Sequence, residues 1–339
     1  VGRASGCAIG VDLGATKIAS ALIDASGEVR ASRQDLTRAA EGVPAVLGRI
    51  AAQVEELRQA AAAEMPDAPL LGVGIGTPGR VDADAGTVEK AVNLGWEQVP
   101  LATEMKARLG GGLPIYLAKD ANASALGEYY FGAGRGCPDF VYLGVGSGLG
   151  GGALTGGQLV TGGGWTAMEV GHISLDPDGL ACACGLHGCA ETLASGPGVV
   201  NAVRLLRAEQ AWDSGLAAEA TPRDILAAAA AGDPLARAAL ARSGSWLGIV
   251  MAACVTVLNP TRIVVGGGLG LAAFDYLVPA ARAELARRTL RSAHQNLQIF
   301  PSRLVSSAVG AACLVWYAAQ TEGKGGEARP ARPLPQSRP

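Results

Sequence analysis

The chain has 339 residues, of which 49 % are hydrophobic and 17 % charged, so a sizeable core over two domains is expected; with aromatics at 4 %, Ala, Val, Leu and Ile must fill most of it. The net charge is −2 and the basic residues are scattered, with no Lys/Arg stripe to suggest a nucleic-acid partner. The longest apolar run, Trp246 to Leu258, has 13 residues against the roughly 20 of a membrane span, and reads as part of a buried helix. In chain order, residues 8–34 alternate apolar runs with turn signals and predict three strands, with turns at DLGATK and DASGE. Pro44 to Met65 has helical spacing, with Val46, Ile50, Val54 and Leu57 on one face. LLGVGIGTPG (70–79) reads as a buried strand, 100–110 as a helix and LPIYLA (113–118) as a strand. Asp120 opens a helix through Tyr130, where an Asp can cap free backbone N–H groups. Residues 139–160 then repeat the strand, glycine turn, strand plan of the first half, and 165–192 are irregular. Helices are expected near 197–210, 222–231, 234–258, 274–291 and 306–320, with strands at 262–267 and 297–300. The Pro/Gly/Arg-rich tail over 322–339 is expected to be disordered.

Two glycine turns carry phosphate chemistry. In VDLGATK an Asp at a strand end precedes a small-residue turn, where Gly14 lets backbone N–H groups approach phosphate oxygens. Thr16 adds a hydroxyl donor, Lys17 a point charge, and Asp12 can hold Mg²⁺ through water. GVGSGLGGG offers a second clamp through Gly146, Ser147 and Gly148. Each turn taken alone is equally an ordinary hairpin. Two stretches fit G-x-G-x-x-G, but neither runs into a helix, and no G-K-[ST] occurs, so a dinucleotide fold and a Walker A loop are excluded.

Three of the seven cysteines, Cys182, Cys184 and Cys189, cluster shortly after His172. Three thiolates and an imidazole complete a closed tetrahedral zinc site, structural rather than Lewis-acidic. His187 is a rival fourth ligand, although it lies between ligating cysteines in a tight turn. A local cluster with an odd cysteine count, and no charged segment leading into an apolar stretch at the start, fits a cytoplasmic protein better than a disulfide framework.

Taken in order, VDLGATK, GIGTPG, NLGW, DANASALGE, GVGSGLGGG, EVGH, CACGLHGCAE and VVGGG resemble the ROK family of sugar kinases and sugar-responsive repressors, over roughly residues 8–320. The resemblance implies an α/β, two-domain actin-like ATPase (ribonuclease-H-like) fold. Residues 1–118 with 306–321 would form the smaller domain and 119–305 the larger, zinc-bearing one. It implies ATP and Mg²⁺ as phosphate donor, a hexose as acceptor, and a homodimer or homotetramer. The family's catalytic Asp falls on Asp120, and its sugar-binding positions on Asn93, Glu169, His172 and Glu191. The zinc ligands fall on His172, Cys182, Cys184 and Cys189. Phosphate contacts fall on the 12–17 and 146–148 turns, and the adenosine side on Gly266, Gly267 and Gly268. Read as residues alone, Asp120 is also a plain helix cap, Glu169 and Glu191 solvated loop carboxylates, and Asn93 a turn former.

Phosphoryl transfer needs positioning and charge neutralisation, plus one carboxylate to take the hydroxyl proton. A helix start favours an ionised Asp120 for that role. The expected activity is therefore a glucokinase-like ATP-dependent hexose kinase. Kinases for N-acetylhexosamines or fructose, use of polyphosphate, and a sugar-sensing regulator are the alternatives. Regulators of the family carry an N-terminal winged-helix module, and with the first phosphate turn beginning at residue 11 none is expected here. Two positions depart from the family pattern. Lys119 stands where an Asn that commonly contacts the sugar is usual, and Met168 stands where Gly often precedes the EVGH-type Glu. Met does not adopt φ > 0 cheaply, so the sugar loop is expected to be shaped differently.

Overall fold

The computed structural model describes residues 5–322. The first apolar runs form β1 (Cys7–Leu13) and β2 (Lys17–Ile23), an antiparallel hairpin, and β3 (Val29–Leu36) pairs antiparallel with β2. α1 (Val43–Glu64) carries Pro44 in its first turn, where a missing N–H costs nothing. Its predicted face is buried: Val46, Ile50, Val54 and Leu57 are sealed from solvent. β4 (Leu70–Thr77) runs parallel to β1. Next, β5 (Arg80–Asp82), β6 (Thr87–Ala91) and β7 (Trp96–Val99) make a separate antiparallel sheet. This sheet was not expected, because strands of three to five residues are too short to show a two-residue period. α2 (Leu101–Arg108) leads to β8 (Ile115–Lys119), parallel to β4, completing the order β3-β2-β1-β4-β8.

α3 (Asp120–Phe131) follows β8 with no intervening loop. The second half then repeats the pattern. β9 (Phe140–Val145), β10 (Leu149–Thr155) and β11 (Gln158–Leu159) form two antiparallel pairings. An irregular stretch gives way to α4 (Glu191–Ala194), α5 (Gly196–Glu209), α6 (Pro222–Ala230) and α7 (Pro234–Leu258). Ser195, Thr221 and Asp233 cap α5, α6 and α7 by accepting backbone N–H bonds. β12 (Arg262–Gly266) joins β9 in parallel. The expected helix over 274–291 is α9 (Phe274–Arg288), preceded by a short α8 (Gly268–Ala272) and followed by a short α10 (Arg291–His294). β13 (Gln298–Pro301) finishes the sheet in the order β11-β10-β9-β12-β13, topologically the twin of the first. α7 is long enough to cross a membrane, yet most of it is buried in the core, packed on α9 and α5.

α11 (Ser307–Glu322) crosses back onto the first sheet and packs on β1, β4 and α3. Glycine makes this seat possible. A Cβ at Gly10 would fall 1.8 Å from the Ala308 carbonyl oxygen, and one at Gly74 would fall 1.9 Å from that of Ala311. The paired sheets and the returning helix are the architecture of an actin-like ATPase. The tail over 323–339 lies outside the described residues.

Candidate active site

The two topologically equivalent hairpins deliver the two glycine turns. At the first, the Gly14 N–H donates to the Lys17 carbonyl at 2.9 Å, and the Thr37 hydroxyl donates to the Gly14 carbonyl at 2.6 Å. The turn is thus tied down from the far end of β3, while Thr16 and Lys17 stay exposed. Asp12, at the end of β1, accepts a hydrogen bond from the Ser307 hydroxyl at the start of α11. Burial holds its carboxyl above the ordinary range, against the opposing pull of Ser307 and Lys17. Ser307 is a contact that residue reading missed: it lies 295 positions away, and no local pattern announces it. Asp12 remains partly open to water, which suits a carboxylate meeting Mg²⁺ through water.

Register brings Asp120 to the same edge. β1 pairs Asp12 with Gly76, and β4 pairs Gly76 with Ala118, two residues before Asp120. Asp120 is the first residue of α3 rather than its cap; its Oδ1 accepts the Ala121 N–H at 2.6 Å, and Lys119 occupies the cap position without a side-chain bond to the helix N–H groups. Its surface is open to water, yet protein atoms surround it closely. That crowding, and then the neighbouring Asp12 charge, push its carboxyl up to about 6, against the Ala121 N–H and Lys119. The Ala121 N–H at the helix start does pull the carboxyl down but is outweighed, and the group still ionises below neutral pH.

Lys119 is buried and its ammonium faces the loop that carries Glu169. Nζ donates to Glu169 Oε1 at 2.9 Å, and to the Ala167 and Met168 carbonyls at 3.3 Å each. Met168 has φ 63°, so the loop adopts the left-handed turn that a Gly would take. Met168 therefore takes the positive φ that Met does not adopt cheaply.

The second turn is closed by the Gly146 N–H donating to the Gly148 carbonyl at 2.9 Å, and the Gly196 N–H ties α5 to the Gly146 carbonyl at 2.8 Å. Ser147 is exposed at its tip. Glu191, first residue of α4, accepts the Leu149 N–H at 3.0 Å. Gly148 leaves room for it, since a Cβ there would fall 2.5 Å from Glu191 Oε2. Gly267 and Gly268 stand where β12 passes into α8.

The His172, Cys182, Cys184 and Cys189 donor atoms lie within 4.8 Å of one another. His172 Nδ1 is 3.9 Å from Cys182 Sγ, and Cys184 Sγ is 3.6 Å from Cys189 Sγ. Tetrahedral zinc with ordinary Zn–S bonds places sulfurs about 3.8 Å apart, so the donor set fits the ion in number, chemistry and spacing. Ala190 N–H to the Ile173 carbonyl at 2.9 Å zips the His172 segment to the cysteine loop. At Gly188, φ is 60° and a Cβ would collide with the Asp176 carbonyl, so the tight return to Cys189 requires glycine. His187 lies outside this cluster and is exposed. Asn93 is exposed in a 3₁₀ turn and lines a cavity of about 360 Å³ with Ala39, Gly42 and Trp96; Asp120 is not among that cavity's lining residues.

The sequence profile of the ROK family matches residues 8–317. The chain is 36 % identical to a glucokinase of Streptomyces coelicolor over 275 residues, 78 % of this chain and 82 % of the relative. It is 31 % identical to a xylose repressor of Caldicellulosiruptor bescii over 320 residues, 93 % of this chain and 78 % of the relative. It superposes on the structure of a ROK family glucokinase from Streptomyces griseus in complex with glucose and AMPPNP with a TM-score of 0.75 and 30 % identity, covering 93 % of this chain and 100 % of that one.

Proposed function

The chain belongs to the ROK family, and from that premise we propose that it is a cytoplasmic sugar kinase that moves the γ-phosphoryl group of ATP to a hexose hydroxyl, the 6-hydroxyl of glucose first among them. The observation that carries this reading is Asp120 at the same sheet edge as Asp12, close enough for the Asp12 charge to raise its carboxyl. The acceptor hydroxyl donates its proton to the Asp120 carboxylate as its oxygen attacks the γ-phosphorus. The bond from that phosphorus to the β–γ bridging oxygen breaks, and ADP leaves with the electron pair. Backbone N–H groups of the 12–17 and 146–148 turns and the Lys17 ammonium hold the phosphates in line, while Gly267 and Gly268 flank the adenosine. Glu169, His172, Glu191 and Asn93 receive the sugar hydroxyls. Bound Mg²⁺ supplies charge neutralisation on the phosphate oxygens, with Asp12 holding its water shell. Zinc on His172, Cys182, Cys184 and Cys189 cross-links the segments beside Glu169 and Glu191 and fixes their separation. Residues 1–118 with 306–321 form one domain and 119–305 the other, and the protein works as a homodimer or homotetramer.

The likeness to a repressor favours a second reading, a regulator that binds sugar without turnover. A coupled ADP-release screen over about a dozen sugars, read against the slow background without acceptor, separates the two. Turnover led by glucose supports the proposal. Turnover only with an N-acetylhexosamine or fructose keeps the kinase and changes its acceptor. Sugar binding with no ADP release for any acceptor favours the regulator.

A further inference from the structure

The contact between Lys119 and the loop 167–169 has no part in the steps above. The Lys119 side chain is only 7 % exposed. An ammonium has three N–H donors, and here three acceptors take them: the Ala167 carbonyl, the Met168 carbonyl and Glu169 Oε1. Lys119 therefore keeps no donor for a ligand, although it adjoins Asp120 in the chain. The loop it grips contains an unfavourable feature, since Met168 sits at φ 63°, where a side chain crowds the backbone. Two contacts oppose that strain. The Met168 side chain packs against the core of the second sheet, and its carbonyl is held by Lys119. The loop lies close on β10, where a Cβ at Gly151 would fall 2.9 Å from the Met168 carbonyl oxygen. Glu169, whose side chain is 39 % exposed, is thus fixed through one oxygen while part of the side chain stays open to solvent.

We propose that Lys119 and Met168 form a latch, in which Lys119 is a positioning residue that holds the strained 167–169 loop and so sets Glu169 for the acceptor sugar. Its functional half rests on the sugar-kinase reading. The latch also narrows the acceptor class. The Lys119 charge is spent on Glu169, so this wall offers a carboxylate oxygen to a hydroxyl donor and no cation from Lys119 to an anionic sugar. The acceptor is an uncharged hexose with a hydroxyl toward Glu169, not a uronic acid or a sugar phosphate.

The test is a double-mutant cycle on the full chain with Lys119→Met, Met168→Gly and the pair, read by thermal midpoint and by steady-state kinetics with glucose and ATP. Lys119→Met is expected to lower the midpoint by at least about 2 °C. It should raise the glucose KM roughly tenfold, as for a lost charged hydrogen bond, with a far smaller change in the ATP KM. With Gly at 168 the backbone is no longer strained, so both penalties should fall to about half or less. Additive effects on the midpoint overturn the latch, and equal changes in the glucose and ATP KM overturn the positioning role. Should Lys119→Met fail to fold, the double variant decides: a folded one supports the latch and an unfolded one overturns it. If the wild-type chain does not phosphorylate glucose, the proposed reaction falls by itself, and the midpoint cycle still judges the latch. Preferential turnover of glucuronate or glucose 6-phosphate over glucose overturns the acceptor class.

Discussion

Asp120→Asn keeps the shape of the side chain and an oxygen for the Ala121 N–H but removes the proton acceptor. A carboxyl pushed up to about 6 is roughly 90 % ionised at pH 7 and 10 % at pH 5. Turnover by the wild-type chain should then fall about tenfold between those two values. The same rise from the ordinary 3.8 destabilises the folded chain at neutral pH. The folded chain binds this proton more tightly than the unfolded one. The penalty is therefore absent below pH 3.8, grows between 3.8 and about 6, and is full above 6. Asn never carries it. Asp120→Asn should be more stable than the wild-type chain at pH 7, with the gap closing toward pH 4, while turnover drops about 10²- to 10⁴-fold. ADP release from pH 5 to 8 and urea unfolding at pH 7 and 4.5 measure both. Retention of turnover within tenfold, a flat pH profile, or a less stable variant at pH 7 would each refute the reasoning.

Gly148→Ala should force the Glu191 carboxylate off the Leu149 N–H, because the added Cβ falls 2.5 Å from Oε2. Since the displaced atom ends a flexible side chain, the acceptor KM should rise about tenfold with little change in thermal midpoint, as Michaelis curves and a melt will show. Metal analysis should find about one zinc per chain, and Cys189→Ser should lose it and lower the midpoint by several degrees. Zinc-free protein with Cys182 in a disulfide by mass spectrometry would contradict that site. Asp24 gives a second pH signature. Burial pushes its carboxyl up, but Ser26, Arg30 and the Glu28 and Ser26 N–H groups outweigh it and hold it at about 2. Its folded value lies below the unfolded 3.8, so it contributes about 2 kcal/mol that is full above pH 3.8 and lost as pH falls through 2. Asp24→Asn should cost that amount in urea unfolding at pH 7 and progressively less in acid.

Local spacing alone determined the elements whose signals are local. The apolar face of α1, the hairpins around both glycine turns and the Cys182–Cys189 cluster all depend on residues a few positions apart, and each forms as read. The short sheet of β5, β6 and β7 left no such signal, because its strands end before a period can show. Backbone preference alone does not decide the conformation at Met168, which sits at φ 63°. A propensity is a cost of about 1–2 kcal/mol, and a buried ammonium arriving from β8 is able to offset it. Only the tertiary structure decided how the acidic groups stand. Asp12 meets Ser307 across 295 positions, Glu169 meets Lys119 across 50, and burial rather than the helix end sets Asp120. Local sequence names these groups, but their charge depends on neighbours that only the closed fold brings into range.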